Sequence, residues 1–131
     1  MGASGAGDDG GRVDDVLGRF AACLERGDAA GAAAVFTPDA EYAEPPRFHF
    51  TGREAIQGFI ADFTARHRDV RYSLVRTLSA LDGTLAAAEW RFSYTRVADG
   101  SRVAFEGLSW VELRGGLIVR WRGYSARVDE A

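Results

Sequence analysis

The chain has 131 residues, of which 47% are hydrophobic and 27% charged, and its net charge is -3. This length suits one globular domain with a single core and is too short for two. The mildly acidic balance gives no sign of a nucleic-acid-binding protein. No apolar run is long enough to span a membrane, so we expect a cytoplasmic protein.

Two helices are predicted at the start of the chain. Residues 1–11 are rich in Gly, Ala, Ser and Asp, and we expect a disordered tail there and one domain over residues 12–131. Apolar residues at helical spacing predict a helix from about Arg12 to Arg26. Asp28 is a good N-cap for a second helix over Ala29–Phe36, which Pro38 prevents from continuing.

A short apolar strand is expected from Ala40 to Glu44, and it leads directly into Pro45 and Pro46. Alternation along a strand places the side chains of Tyr42 and Glu44 on the same face. If that face points inward, a carboxylate lies in an aromatic-rich interior. Because burial disfavours the charged form, the pKa of Glu44 should rise toward the range that is useful for proton transfer.

The third helix is predicted to follow a loop over residues 47–50. Thr51 and Glu54 have the spacing of a capping box at its start. Its apolar stripe reaches Phe63, and His67 continues the stripe four residues later. We therefore expect the imidazole of His67 to be partly buried.

The chain after Asp69 is predicted to form strands. Their expected bounds are Val70 to Leu81, Thr84 to Val97, Arg102 to Leu113 and Leu117 to Val128. Hairpin turns are indicated by Asp82-Gly83, Asp99-Gly100 and Gly115-Gly116. Three helices followed by a four-stranded antiparallel meander predict an α+β fold.

Alternation also predicts which side chains of the sheet meet the helices. The inward aromatic residues would be Trp90, Phe92, Tyr94, Phe105 and Trp121. These rings could line a ligand pocket or simply fill a core. On the outer face Leu108, Trp110 and Ile118 would lie among charges. An exposed tryptophan beside two aliphatic side chains predicts a homodimer that packs sheet on sheet.

The third helix opens with Gly-Arg-Glu-Ala-Ile, and the last strand contains Gly-Gly-Leu-Ile-Val-Arg-Trp-Arg-Gly-Tyr. With these motifs, the order of the elements resembles the nuclear transport factor 2-like superfamily, and most of all its SnoaL-like members. The resemblance covers about residues 12–128. It implies a cone-shaped α+β barrel with three N-terminal helices on a curved, mostly antiparallel sheet, together with a pocket and a homodimer. The relatives include ketosteroid isomerases, epoxide hydrolases, polyketide cyclases, dehydratases and noncatalytic binders, so the resemblance indicates fold more than chemistry.

The resemblance to ketosteroid isomerases implies that Glu44 occupies the position of their general-base carboxylate. The positions that match their oxyanion hole are Phe20, which has no donor, and Ser109, which is a weak substitute. Steroid-type isomerisation is therefore not expected. Epoxide hydrolases and SnoaL-type cyclases carry an aspartate in or near the last strand, where this chain has Gly123. That difference disfavours epoxide hydrolysis and weakens the usual cyclase assignment.

The leading hypothesis is a cofactor-independent enzyme for isomerisation, cyclisation or dehydration of a lipophilic, possibly polyketide-like molecule. Glu44 would transfer a proton beside a carbonyl, with Tyr94 and His67 as further catalytic candidates. The residues expected to bind the substrate are Phe20, Tyr42, Phe63, Trp90, Phe92, Phe105, Ser109 and Trp121. Tyr94, Tyr42 or Ser109 would hydrogen-bond the carbonyl oxygen.

No metal site is expected, because the chain has only two histidines and one cysteine, without ligand spacing. The main alternative is a noncatalytic protein of the same fold that binds a small molecule or serves as a scaffold. A second alternative is an epoxide hydrolase-like enzyme, which Gly123 disfavours.

Overall fold

The computed structural model describes residues 4–128, with side chains from residue 13 onward. Three helices pack on one six-stranded sheet: α1 (Ser4–Glu25), α2 (Ala29–Ala33) and α3 (Arg53–Arg66). The strands are β1 (Phe36–Glu44), β2 (Phe48–Thr51), β3 (His67–Ser79), β4 (Leu85–Arg96), β5 (Arg102–Arg114) and β6 (Leu117–Val128). No helix in this described part of the chain is both long and apolar enough to cross a membrane.

The strands lie in the order β2-β1-β6-β5-β4-β3. Strands β3 to β6 form the predicted antiparallel meander. Strand β1 runs parallel to β6 and pairs with β2 in the antiparallel sense. The predicted α+β class with three helices on a mostly antiparallel, curved sheet is therefore confirmed, and the sheet is unclosed because β2 and β3 remain its edges.

The boundary between α2 and β1 differs from the prediction. The helix ends at Ala33, and the strand begins at Phe36 rather than Ala40. The side chain of Phe36 is fully buried in the core, and burial of this ring outweighs the helical pattern before it. Pro38 lies inside the strand, where the pairing with β6 is irregular between Phe36 and Glu41. Such an irregularity tolerates a residue without an amide donor.

Strand β2 replaces the predicted loop after the two prolines. Phe48 and Phe50 are half-buried and alternate with exposed neighbours, which is the pattern of a strand with one covered face. Thr51 ends this strand, and Gly52 is the N-cap of α3 with a φ of 93° and no side-chain capping bond. The predicted capping box of Thr51 and Glu54 is therefore wrong.

Helix α1 begins at Ser4, well before the predicted start at Arg12. Residues 4–11, which we predicted to be part of a disordered tail, are thus helical, and residues 1–3 of that predicted tail lie outside the described residues. The segment contains no proline, so backbone hydrogen bonding can continue through it. Strand β3 likewise begins earlier than predicted, at His67 rather than Val70.

The outer face of the sheet follows the predicted alternation at two of three positions. Leu108 is 48% exposed and Trp110 is 50% exposed, whereas Ile118 is fully buried. The prediction for Ile118 was wrong because the pairing of β5 with β6 shifts between Glu112 and Leu113. Because of this irregularity, the side chains of β6 before Arg120 lie on the opposite face of the sheet from the one predicted.

The close approach of Trp90 to Gly107 gives a test of the sheet packing. A Cβ atom on Gly107 would contact the Trp90 ring and lie 2.7 Å from the carbonyl oxygen of Tyr124. Since a backbone oxygen cannot move aside, Gly107→Ala should lower the free energy of unfolding by about 1–3 kcal/mol. Gly18→Ala is the matched control, because Gly18 lies in α1 with no atom within 4 Å of its added Cβ. It should raise stability by about 0.5–1 kcal/mol. Urea denaturation measures both changes, and equal stability of Gly107→Ala and the parent would contradict this packing.

Candidate functional site

The sheet and the helices α1 and α3 enclose a cavity of about 280 Å³. This volume lies near the small end of the range for ligand pockets. Its wall is mostly aromatic, with rings from all six strands and from both helices. The aromatic lining residues are Phe20, Tyr42, Phe48, Phe59, Phe63, His67, Tyr72, Trp90, Phe92, Tyr94, Phe105 and Trp121.

Ring contacts fix the deep end of this cavity. Phe20 of α1 meets Tyr72 at 5.8 Å and Trp121 at 5.6 Å between ring centroids. Tyr42 stacks on Trp121 at 5.8 Å, in line with the parallel pairing of these two residues between β1 and β6. Such offset and edge contacts hold large rings in defined orientations. The polar atoms on these rings are therefore held in place as well.

Glu44 stands at the end of β1 and lines the cavity. Burial raises the pKa of its carboxyl group, while a hydrogen bond with Tyr42 and the charge of Arg47 act in the opposite direction. Burial and the negative charge of Glu44 also raise the pKa of the Tyr42 phenol well above 10.0. Tyr42 therefore stays protonated and donates its hydroxyl to Glu44. The expected elevation of the Glu44 pKa is present.

Gly123 provides the space into which the carboxylate of Glu44 reaches. A Cβ atom at this position would lie 3.2 Å from Glu44 Oε2, 3.1 Å from Trp121 Nε1 and 2.8 Å from Ser109 Oγ. Three polar atoms thus converge above one glycine. The resemblance implied that relatives carry an acid where this chain has Gly123, and the carboxylate of Glu44 on β1 lies next to this glycine.

Ser109 does not line the cavity, although we predicted that it binds the substrate. Its side chain is fully buried, and its Oγ accepts a hydrogen bond of 2.8 Å from Trp90 Nε1. The residue faces inward as predicted, but the larger ring of Trp90 lies beside it on the neighbouring strand. This bond occupies the hydroxyl as an acceptor within the wall.

Two buried polar atoms in the wall have no hydrogen-bond partner among the described residues: the hydroxyl of Tyr72 and the Nε1 of Trp121. Both residues line the cavity. Burial and the charge of Glu44 raise the pKa of the Tyr72 phenol well above 10.0, so it remains a donor. A buried donor without a partner costs about 1–3 kcal/mol, which a ligand oxygen could recover. Tyr72 was not predicted as a site residue, although its place in strand β3 could have indicated it.

His67 and Tyr94 form a second polar group in the cavity wall. Their rings lie 4.3 Å apart, and Phe63 contacts both. His67 Nδ1 lies 2.7 Å from the carbonyl oxygen of Phe63, which fixes the proton on Nδ1 because a carbonyl only accepts. His67 is the first residue of β3 with extended backbone, not the continuation of the α3 stripe that we predicted. Within the described residues, no hydrogen bond or ring contact joins this pair to Glu44.

The cavity continues into a more open space of about 370 Å³, which we call the mouth. Its lining residues are Glu44, Pro45, Pro46, Arg47, Phe105, Gly123, Ser125 and Arg127. Glu44, Arg47, Phe105 and Ser125 line both spaces. Glu44 and Phe105 were predicted as site residues, whereas the two arginines and Ser125 were not. The described residues contain no group of three histidine, cysteine or acidic side chains that could hold a metal ion.

The chain matches a known domain family over most of its length. Residues 17–121 match the model of the SnoaL-like domain. The chain belongs to the SnoaL-like domain family. The recognition of a nuclear transport factor 2-like, SnoaL-like domain in the sequence is thereby confirmed. No curated protein matches the sequence.

Solved structures with low sequence identity share this SnoaL-like fold. A candidate isomerase from Bacillus subtilis superposes with a TM-score of 0.80 at 19% identity, covering 90% of this chain and 88% of that one. A candidate polyketide cyclase from Xanthomonas campestris gives 0.75 at 18% identity, with 88% and 91% covered. An LEH-like epoxide hydrolase from M. tuberculosis gives 0.75 at 18% identity, with 88% and 83% covered. At these identities the likeness establishes the fold alone.

The raised pKa of Glu44 predicts a specific pH dependence of stability. The folded protein binds the Glu44 proton more tightly than the unfolded chain does, so stability should fall as pH rises from the ordinary value of 4.5 through the raised pKa. Glu44→Gln removes this loss. The free energy of unfolding of the variant minus that of the parent should therefore increase over this window. Urea titrations between about pH 4 and 8 measure this difference. A pH-independent difference would show that Glu44 titrates alike in both states.

Proposed function

We propose that this SnoaL-like domain is an enzyme that transfers a proton at a carbon next to a carbonyl group, with Glu44 as general acid and base. The observation that supports this proposal is the carboxylate of Glu44, with its raised pKa, in a mostly aromatic cavity. A pKa closer to neutral pH makes a carboxyl group a better base and acid at that pH. Isomerisation, cyclisation and dehydration of a lipophilic, polyketide-like molecule all include this step.

The hydrogen bond from Tyr42 orients the base. Tyr42 lies two residues before Glu44 on the same strand face, and its ring is held against Trp121. A base fixed in this way does not have to reorganise before it takes a proton. The apolar rings on its inner side lower the local dielectric, which strengthens the interactions of the carboxylate there.

The proposed mechanism also needs donors for the carbonyl oxygen, which gains negative charge as the proton leaves. Preorganised donors in a site of low dielectric stabilise such charge strongly. Tyr72 and Trp121 supply two buried donors without protein partners among the described residues. We assign them this role in place of Ser109, which bonds Trp90, and Tyr42, which bonds Glu44.

A noncatalytic binding protein is the second candidate function. The aromatic wall and the two donors would hold a ligand oxygen whether or not a reaction follows. Within the cavity lining the other carboxylate, Asp62, pairs with Arg66 at 3.3 Å, so it does not act as a free second acid. Epoxide hydrolysis, for which the resemblance implies several acidic groups around one water, has less support.

Proton transfer can be tested with β-tetralone, a bicyclic ketone whose hydrogens beside the carbonyl exchange with deuterium. The protein should accelerate this exchange in deuterated water, as followed by proton NMR. Glu44→Gln should reduce the acceleration by roughly 100-fold or more, because it removes the base but keeps the shape of the side chain. If the parent protein does not exceed buffer, or if the variant keeps full activity, Glu44 is not a base for this chemistry and binding alone remains.

Two tyrosine variants separate the proposed oxygen donor from the other cavity hydroxyls. Tyr72→Phe keeps the ring and should lower the exchange rate by roughly 10-fold or more. Tyr94→Phe is the matched control, since Tyr94 lines the same cavity but lies against His67 and Phe63. It should change the rate little. The opposite ranking of the two variants would assign the oxygen to Tyr94.

We also propose that the protein forms a homodimer through the outer face of the sheet. Leu108 and Tyr124 are paired across β5 and β6, with Trp110 next along β5, and each is about half exposed. Ion pairs of Arg76 with Glu89 and of Arg91 with Glu106 lie to the side of these residues. An apolar patch beside charges of both signs can match a second copy of itself.

Light scattering with size-exclusion chromatography tests this assembly. The parent protein should be a dimer at micromolar concentration, and Trp110→Glu should be a monomer because it buries a charge at the centre of the contact. Leu81→Glu serves as the control, since Leu81 is exposed in the turn between β3 and β4. A monomeric parent protein would contradict the dimer.

A further inference from the structure

The mouth carries two guanidinium groups, and no described carboxylate forms an ion pair with either of them. Arg47 and Arg127 are exposed there, and neither guanidinium forms an ion pair or hydrogen bond with another described residue. Glu44 is the only carboxylate among the described residues that line the mouth, and its raised pKa lowers its share of negative charge. The mouth is thus locally cationic on a chain with a net charge of -3.

Arg47 is held in position by its neighbours. Its backbone amide donates to the carbonyl oxygen of Glu44 at 3.0 Å, which closes the turn after β1. Its guanidinium carbon lies 5.6 Å from the ring centroid of Phe48 and 5.5 Å from that of Phe105. Contact with ring faces leaves the N–H edge of a guanidinium available, and this planar edge matches a carboxylate.

Arg127 reaches the mouth from the other side. It pairs with Phe105 across β5 and β6, so the two side chains share the inner face of the sheet. Along that face of β6 the residues run from buried Trp121 through Gly123 and Ser125 to exposed Arg127. The inner face of β6 thus changes from an apolar residue in the interior to a cationic residue at the mouth.

We propose that the substrate carries a carboxylate on its aromatic body, and that Arg47 and Arg127 bind this carboxylate at the mouth. The ring system would fill the cavity of about 280 Å³. Glu44 lines both spaces, so the reacting carbon would lie between the ring system and the anionic group. The position of the reacting carbon rests on the proposed function, whereas the binding of the carboxylate by the two arginines does not.

A pair of matched compounds tests the anionic subsite without any reaction. β-Naphthylacetate and β-naphthylacetamide have nearly the same shape, and only the first is charged. Isothermal titration calorimetry at low salt should show that the acetate binds about fivefold more tightly, a modest factor because exposed ion pairs contribute little. The preference should shrink as salt is added.

Two arginine variants locate the effect. Arg47→Met keeps an apolar stem over the rings but removes one of the two charges, so the preference for the acetate should shrink to about twofold while affinity for the amide is retained. Arg91→Met is the control, since Arg91 pairs with Glu106 on the outer face at 3.6 Å. It should leave the fivefold preference intact.

The binding results separate this proposal from the proton-transfer proposal. Equal binding of the two compounds, a preference for the amide, equal loss in both arginine variants or no measurable binding of either would overturn the anionic subsite. None of these results depends on β-tetralone exchange. Conversely, a preference for the acetate in a protein without exchange activity would support the subsite and reject Glu44 as a base.

Discussion

The site depends on the burial of one carboxylate against aromatic rings. Glu44 loses hydration at the end of β1, and the hydrogen bond from Tyr42 and the charge of Arg47 compensate only in part, so its pKa stays raised. A charge in such a place is costly unless it is paired. Despite this cost the carboxylate is held in place, because Tyr42 stacks on Trp121 and Gly123 leaves space for the carboxylate oxygen. Preorganisation of a reactive group is a common reason for such local instability.

The polar atoms around Glu44 differ in how fully the protein satisfies them. Ser109 and Trp90 bond each other within the wall, and Tyr42 serves the carboxylate. Tyr72 and Trp121 keep buried donors without partners in the described part of the chain. This difference makes one part of the aromatic wall the preferred place for a ligand oxygen, because the oxygen gains most binding free energy at the two unpartnered donors. Arg47 and Arg127 line the mouth together with Glu44.

Much of this fold follows from the sequence because its signals are local and repeated. The glycine turns set the meander, and alternation correctly directed Trp90 and Trp121 inward. The errors came from irregular pairing, which alternation cannot detect. The shift near Glu112 buried Ile118, and a strand that accommodates Pro38 began earlier than predicted.

The identities of most site residues could be predicted from the sequence, but their hydrogen-bond partners could not. Glu44 and most of the rings could be named from strand position, whereas the partners of each hydroxyl depend on which ring lies nearest in space. Ser109 and Tyr72 both face inward, and only the structure shows how they differ. The hydroxyl of Ser109 accepts a hydrogen bond from Trp90, whereas the hydroxyl of Tyr72 has no partner among the described residues. Arg47 follows two prolines in a turn, and its position between two phenylalanines from different strands has no sequence signature.

The crowding above Gly123 has a consequence for how the family can change over time. A Cβ atom at this position would lie only 3.2 Å from Glu44 Oε2, so an acidic side chain on β6 would crowd the carboxylate that β1 supplies. A lineage that moves the acid from one strand to the other must alter both positions. The intermediate sequence would carry either two crowded acids or no acid at this place. Residues 44 and 123 should therefore vary together among related sequences, as a linked pair rather than as independent sites.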